Sequence, residues 1–185
     1  MRFGTRKQYE LLGNQRVLDW AVDGARAVSD GVVLVVPPEL TRQHEDGPDV
    51  VVGGGATRSD SVRAGLGAIP AHVDVIVVHD AARPLAPAWL FESVIAAVRA
   101  GADGAVPGVP VADTVKRVRD GEVEATLERS GLITVQTPQA FRGEILRRAH
   151  AGGGEASDDA ALVEVAGGRV VVVPGDPLNT KVTNP

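Results

Sequence analysis

The chain contains no cysteine, which excludes disulfides, a thiol nucleophile and a thiolate metal site. Its four histidines, His44, His72, His79 and His150, fall at no close ligand spacing, so a structural zinc is not expected. No apolar run approaches the roughly 20 residues that span a bilayer, and the first residues lack the apolar core of a secretory signal. The expectation is a cytoplasmic protein with no membrane partner. Glycine and proline, 22 and 12 of 185 residues, stay below the roughly 25–30% that marks low-complexity chains. Acidic residues outnumber basic ones, 24 to 19, which argues against a broad electrostatic footprint for a nucleic-acid polymer. Small anionic ligands held by a local basic pocket fit better.

What is present supports a packed core. A hydrophobic fraction of 44% and a length of 185 residues suit a single domain over 1–185. Val17, Leu18, Ala21, Val22, Ala25 and Val28 recur at helical spacing, and "VVLVV" (32–36) then gives a continuous apolar run stopped by Pro37 and Pro38. The pattern repeats with "VVVG" (50–53), a helix from about Ser59 to Ala68, "VDVIVV" (73–78) and a helix beginning near Pro87. Strands apolar on both faces, alternating with helices, predict a Rossmann-like three-layer α/β sandwich with a mostly parallel sheet. Short helices over about 142–150 and 158–166 and a strand "RVVVV" (169–173) complete it.

One segment breaks the rhythm. "DTVKRVRDGEVEATLER" (113–129) alternates on both sides of Asp120-Gly121, a hairpin signal. A two-stranded hairpin is marginal in water by itself, so this arm is expected to lean on a partner surface such as a second subunit.

Several stretches carry residues suited to chemistry. "VVHDAARP" (77–84) ends a buried strand on His79-Asp80, where ligands bind in open α/β sheets. Asp80 suits a divalent metal bridging phosphates, Ala81 and Ala82 admit a ligand to the backbone, and Arg83 offers a planar fork for phosphate. The plainer reading makes Asp80 a turn cap with Arg83 paired to it on the surface. "GGGATRSDSVRAGL" (53–66) sets glycines before a helix start, a cradle for an anion or a base edge; taken alone, a glycine-rich turn with an N-cap is the favoured explanation. In "ASDDAALVE" (156–164), Ser157 reads as an N-cap and Asp158 and Asp159 as first-turn acids, with a paired-carboxylate metal site as the sharper alternative. Lys181 and Arg129 read first as surface charges. The opening "MRFGTRKQY" gathers Arg2, Arg6 and Lys7 ahead of any periodic element.

Together, "RFG" and "KQY" (2–9), "GGATRSDSV" (54–62), "HDAARP" (79–84), "DTVKRV" (113–118), "TPQAF" (137–141), "DDAALVE" (158–164) and "NTKVTNP" (179–185) resemble the 2-C-methyl-D-erythritol 4-phosphate cytidylyltransferases of the non-mevalonate isoprenoid pathway. The resemblance implies transfer of the cytidylyl group of CTP to the sugar-alcohol phosphate, with magnesium, release of pyrophosphate and a homodimer built by the hairpin arm. It assigns Gly54, Gly55, Ser61, Asp80 and Ala81 to the nucleotide and Asp80 to the metal. Asp80, Arg83, Thr114, Arg129 and Lys181 are assigned to the substrate, with Thr114 and Arg129 reaching across the dimer. Arg2 and Lys7 are assigned to the triphosphate, where fixed positive charge stabilises the transition state, and Arg129 and Lys181 to placing the attacking phosphate.

The family pattern also has a strand and a glycine-rich loop, about 15 residues, immediately before the Arg that Arg2 matches. In this sequence Met1 stands there, and the spacing from Arg2 to Lys7 is shorter than usual. If that loop is absent, the alternative is a non-catalytic dimeric homologue that binds the sugar phosphate; within the enzyme class, the rival is a ribitol 5-phosphate cytidylyltransferase, which shares the nucleotide half.

Overall fold

Hydrophobic alternation assembles the chain around one five-stranded sheet and a separate strand pair. The structure, a computed structural model, describes residues 7–43 and 45–183. After a single 3-10 turn, Lys7–Tyr9, the elements are β1 (Leu11–Leu12), β2 (Gln15–Arg16), α1 (Val17–Arg26), β3 (Val33–Val36), β4 (Val50–Gly53), α2 (Arg58–Ala68), β5 (Val75–Val78) and α3 (Ala88–Arg99). They continue as β6 (Gly104–Pro110), β7 (Val115–Arg119), β8 (Glu122–Leu127), β9 (Ile133–Val135), β10 (Gln139–Arg142), α4 (Gly143–Ala151), α5 (Asp159–Val165) and β11 (Val170–Pro174).

The main sheet runs β11-β6-β10-β5, with β9 against β6. β11 is parallel to β6, and β10 is antiparallel to both β6 and β5, so β5, β6 and β11 all point the same way. β3 and β4 form their own parallel pair. The period of two along each strand feeds two faces. On one, Ile76, Val106 and Phe141 pack with Leu66 of α2, Ile145 and Leu146 of α4 and Val163 of α5. On the other, Ala105 and Ala140 meet Val94 and Val98 of α3, with Val75, Val77, Val171 and Val173 alongside. Leu18 and Val22 of α1 cover Leu34 and Val36 of β3, and Tyr9 and Ala81 join that cluster. The outcome is the expected Rossmann-like, mostly parallel three-layer arrangement.

Two features depart from the sequence reading. The antiparallel β10 is inserted between β5 and β6, and β6 itself, "GAVPGVP", carries two prolines and two glycines that hide a strand. Those small residues have a packing reason: a Cβ at Gly104 would lie 2.7 Å from the Phe141 ring. Ser157 is not the cap of α5. Asp158 is, its carboxylate accepting from the Ala161 N–H at 3.0 Å.

β7 and β8 pair only with each other, as the hairpin signal predicts. Asp120 and Gly121 both take positive φ, 51° and 85°, the backbone of a two-residue turn matched to strand twist. The cross-strand partners Val118 and Val123 are 56% and 62% exposed.

Candidate active site

β5 delivers Asp80 to the carboxyl edge of the sheet, and three chain segments are laced together there. The Arg83 N–H closes a tight turn onto the Asp80 carbonyl at 2.9 Å. The Arg83 guanidinium does not pair with the Asp80 carboxylate; it donates to the Asn179 carbonyl at 2.7 Å. Val182 N–H donates to the Ala82 carbonyl at 2.8 Å, and the fully buried Asn179 donates to the Thr137 carbonyl at 2.9 Å. Gln136, also buried, accepts from Asp176 N–H at 3.1 Å and returns its amide to the Asp176 carbonyl at 2.8 Å. Segment 176–182 is thereby strapped over residues 136–137 and the turn 80–83.

The strap brings Lys181 to Asp80, Nζ to Oδ2, at 2.6 Å. Lys181 is therefore no free surface charge. Burial pushes the Asp80 carboxyl up, but the Lys181 ammonium, then Arg58 and Arg83, outweigh it and hold the group below its ordinary range. Burial also lowers the Arg83 guanidinium. Beside them His79 is largely buried, which pushes its imidazole down to about 4, so the ring is neutral at physiological pH. Its Nε2 lies 3.1 Å from the Arg83 carbonyl and its Nδ1 3.1 Å from Thr137 Oγ1, which also accepts the Asp80 N–H at 2.9 Å.

The glycine cradle follows β4. Gly54 N–H donates to the Val36 carbonyl at 2.7 Å, fixing the loop on β3. Gly55 N–H donates to Ser61 Oγ at 3.2 Å, and the Ser61 hydroxyl donates to the Thr57 carbonyl at 2.9 Å. A Cβ at Gly54 would sit 2.8 Å from Ser61 Oγ, and one at Gly55 would collide with the Asp60 side chain. Thr57 caps α2, with Asp60 answering in a capping box. A cavity of about 350 Å³ opens against Gly54, Gly55 and Ser61, with Gln8 and Pro37 also in its lining.

The predicted residues divide accordingly. The structure joins Asp80, Ala81, Arg83 and Lys181 in one cluster, and Gly54, Gly55 and Ser61 in the adjoining cradle. Lys7 stands on the turn that Tyr9 anchors, and is not among the cations acting on Asp80. Thr114 and Arg129 lie exposed at the base of the arm, where Arg129 donates to the Ala112 carbonyl. Among the described residues no hydrogen bond or ion pair links either to Asp80, Arg83 or Lys181. Arg2 lies outside the described residues.

Three partners of the α5 acids escaped the sequence reading: Arg58, His150 and Gln139. Asp159 is wholly buried, ion-paired to Arg58 at 2.6 Å and bonded to His150 Nε2 at 3.0 Å. Asp158 accepts from Gln139 at 3.0 Å. The two carboxylates are thus spent on separate structural tasks, and the paired-carboxylate metal site is overturned. Among the described residues no group of three His, Asp or Glu side chains could hold a metal. Asp80, part-exposed at 21% of its side chain, instead fits a magnesium held by one carboxylate and by substrate phosphates.

Comparison with known proteins gives the family. The family model for 2-C-methyl-D-erythritol 4-phosphate cytidylyltransferase matches residues 1–185. A curated relative of that description from Rhodococcus jostii is 46% identical over 97% of this chain and 82% of its own length. A bifunctional enzyme IspD/IspF from Clavibacter michiganensis is 55% identical over 74% of this chain, which spans 34% of that protein. The crystal structure of the 2-C-methyl-D-erythritol 4-phosphate cytidylyltransferase from Thermus thermophilus superposes with a TM-score of 0.87 at 34% identity, covering 97% of this chain and 88% of that one. The chain belongs to the 2-C-methyl-D-erythritol 4-phosphate cytidylyltransferase family.

Proposed function

We infer that this chain, as a member of its family, transfers the cytidylyl group of CTP to 2-C-methyl-D-erythritol 4-phosphate and releases pyrophosphate. The observation that carries the site assignment is the Asp80–Lys181 pair at the carboxyl end of β5, beside the glycine cradle. The cradle, through Gly54, Gly55 and Ser61, takes the nucleotide, and Ala81 lets its phosphates approach the backbone. A phosphate monoester oxygen attacks the α-phosphorus; already ionised at neutral pH, it needs no general base. Catalysis therefore rests on positioning and on cations around the developing charge.

Lys181, with Arg129 of a second copy, places the attacking phosphate at the turn of Asp80 and Arg83, where Arg83 contacts the substrate, while Arg2 and Lys7 hold the triphosphate. Thr114 and Arg129, exposed on the arm, complete the substrate site of a second copy, which makes the active form a homodimer. Asp80 would hold a divalent magnesium ion, which when bound neutralises charge on the phosphate oxygens. The reading has one nucleotidyltransferase domain over 1–185 with 113–129 as its arm. The protein acts in the cytoplasm; among the described residues no helix is long and apolar enough to cross a membrane.

Pyrophosphate release from CTP, measured with 2-C-methyl-D-erythritol 4-phosphate and with ribitol 5-phosphate, tests this. The expected outcome is turnover with the former. Folded protein that turns over neither substrate, yet binds the polyol phosphate, would replace the enzyme by a binding homologue.

A further inference from the structure

His79 sits one residue before Asp80, yet nothing in the reaction calls for an imidazole there. Its surroundings define what it does. The carbonyl of Arg83, 3.1 Å from Nε2, can only accept, so Nε2 carries the ring proton. In the neutral ring Nδ1 is then a bare acceptor, and the Thr137 hydroxyl must donate to it across 3.1 Å. That orientation of the hydroxyl leaves its lone pairs to the Asp80 N–H, which reaches Oγ1 at 2.9 Å. The Phe91 ring, with centroids 5.0 Å apart and planes at 54°, holds the imidazole from the side.

The chain of bonds therefore runs from the Asp80 N–H to Thr137, from Thr137 to His79, and from His79 to the Arg83 carbonyl. It starts and ends on the same four-residue turn, which is already closed by its own Arg83 N–H to Asp80 carbonyl bond at 2.9 Å. Every donor and acceptor in this circuit is used in only one direction. Turning the ring over by 180° would put Cε1 in place of Nε2 at the Arg83 carbonyl and Cδ2 in place of Nδ1 at the Thr137 hydroxyl, losing both bonds, so its orientation is fixed.

We propose that His79 is a positioning residue: in its Nε2–H tautomer it locks the turn that carries Asp80 and Arg83 to Thr137 on the neighbouring segment. The lock determines where the Asp80 carboxylate and the Arg83 guanidinium stand, and His79 itself transfers no proton. The inference rests on the assignment of Asp80 and Arg83 to the reacting phosphates.

The test uses the full chain and three measurements. Replacing His79→Leu removes both bonds, and displacement of the turn by about 1 Å lowers kcat about 100-fold while leaving KM for CTP little changed. In His79→Gln the side-chain amide N–H can still reach the Arg83 carbonyl, and part of kcat returns. A folded His79→Leu protein with the parent kcat overturns the proposal. Nitrogen-15 NMR of the unaltered chain, with the His79 signals assigned by their loss in His79→Gln, decides independently of turnover and also where His79→Leu fails to fold. A protonated Nε2 with a hydrogen-bonded Nδ1 supports the lock, and an Nδ1–H tautomer overturns it. Absence of cytidylyl transfer in the unaltered chain would refute the assigned function and leave the NMR result to judge the lock alone.

Discussion

Lys181 Nζ lies 2.6 Å from Asp80 Oδ2, across 101 residues of sequence. Neither residue could be ranked above its neighbours from composition, and their contact depends on the strap formed by Gln136 and Asn179. The ammonium offsets the burial that would otherwise raise the Asp80 carboxyl. In the proposed reaction the same ammonium turns to the polyol phosphate.

Lys181→Met should therefore lower kcat by about 100- to 1,000-fold, the usual cost of removing one fixed charge that meets a developing oxyanion. Lys181→Arg should recover little of it, because the planar guanidinium does not replace a compact ammonium at this distance. Steady-state pyrophosphate release reads both. Asp80→Asn should in addition raise the magnesium concentration required for half-maximal rate, and chelation should abolish turnover in the unaltered chain until magnesium is restored.

Gly55→Ala places a methyl group on the Asp60 side chain. The expected loss of stability is about 1–3 kcal/mol, measured by urea unfolding. KM for CTP should rise more than kcat falls if the cradle holds the nucleotide, as proposed, and not the attacking phosphate.

Asp159→Asn should cost about 3 kcal/mol at neutral pH, because it leaves Arg58 without its buried counter-charge. Burial raises the Asp159 carboxyl, but His150 and Arg58 overcome this and hold it below its ordinary 3.8. The unfolded chain then takes up the proton before the folded one does. The stabilisation is fully present above pH 3.8 and is lost as pH falls through the lower folded value. Denaturation curves across the acid range should show the difference between parent and Asp159→Asn shrinking over that window; a constant difference would contradict the pairing.

The cross-strand pair Val118 and Val123 leaves an apolar patch on an arm that packs poorly on its own chain. Val118→Asp together with Val123→Asp should shift the mass measured by light scattering from dimer to monomer and reduce turnover, since Thr114 and Arg129 would lose their partner site. A parent chain that is monomeric and fully active would contradict the shared site.

The strands rich in valine, the helices with clear apolar stripes and the Asp120-Gly121 hairpin were legible because each obeys a local period or turn rule. β6 was not, because its Gly104 and Gly108 answer to Phe141, Ile133 and Val172, residues distant in sequence. The insertion of β10 against its neighbours' direction is likewise a matter of long-range pairing. At the site, the motif around Asp80 announced itself by ending a buried strand. Lys181, by contrast, reads as a lone surface charge from its local pattern, and only the family resemblance singles it out; the strap sets it against Asp80. The ion cluster of Arg58, His150 and Asp159 had no sequence signal beyond the first-turn acids of α5, because its members meet only when α2, α4 and α5 pack.

The central claim is that the turn at Asp80, with Lys181 against it, is where cytidylyl transfer occurs. Single-turnover release of pyrophosphate from CTP and magnesium, with 2-C-methyl-D-erythritol 4-phosphate in excess, tests it most directly when the parent chain and Lys181→Met are run side by side. The account predicts a single exponential release that depends on the polyol phosphate in the parent and is slowed by at least about 100-fold in Lys181→Met. Equal rates in the two proteins, or no release from a folded parent, would contradict it.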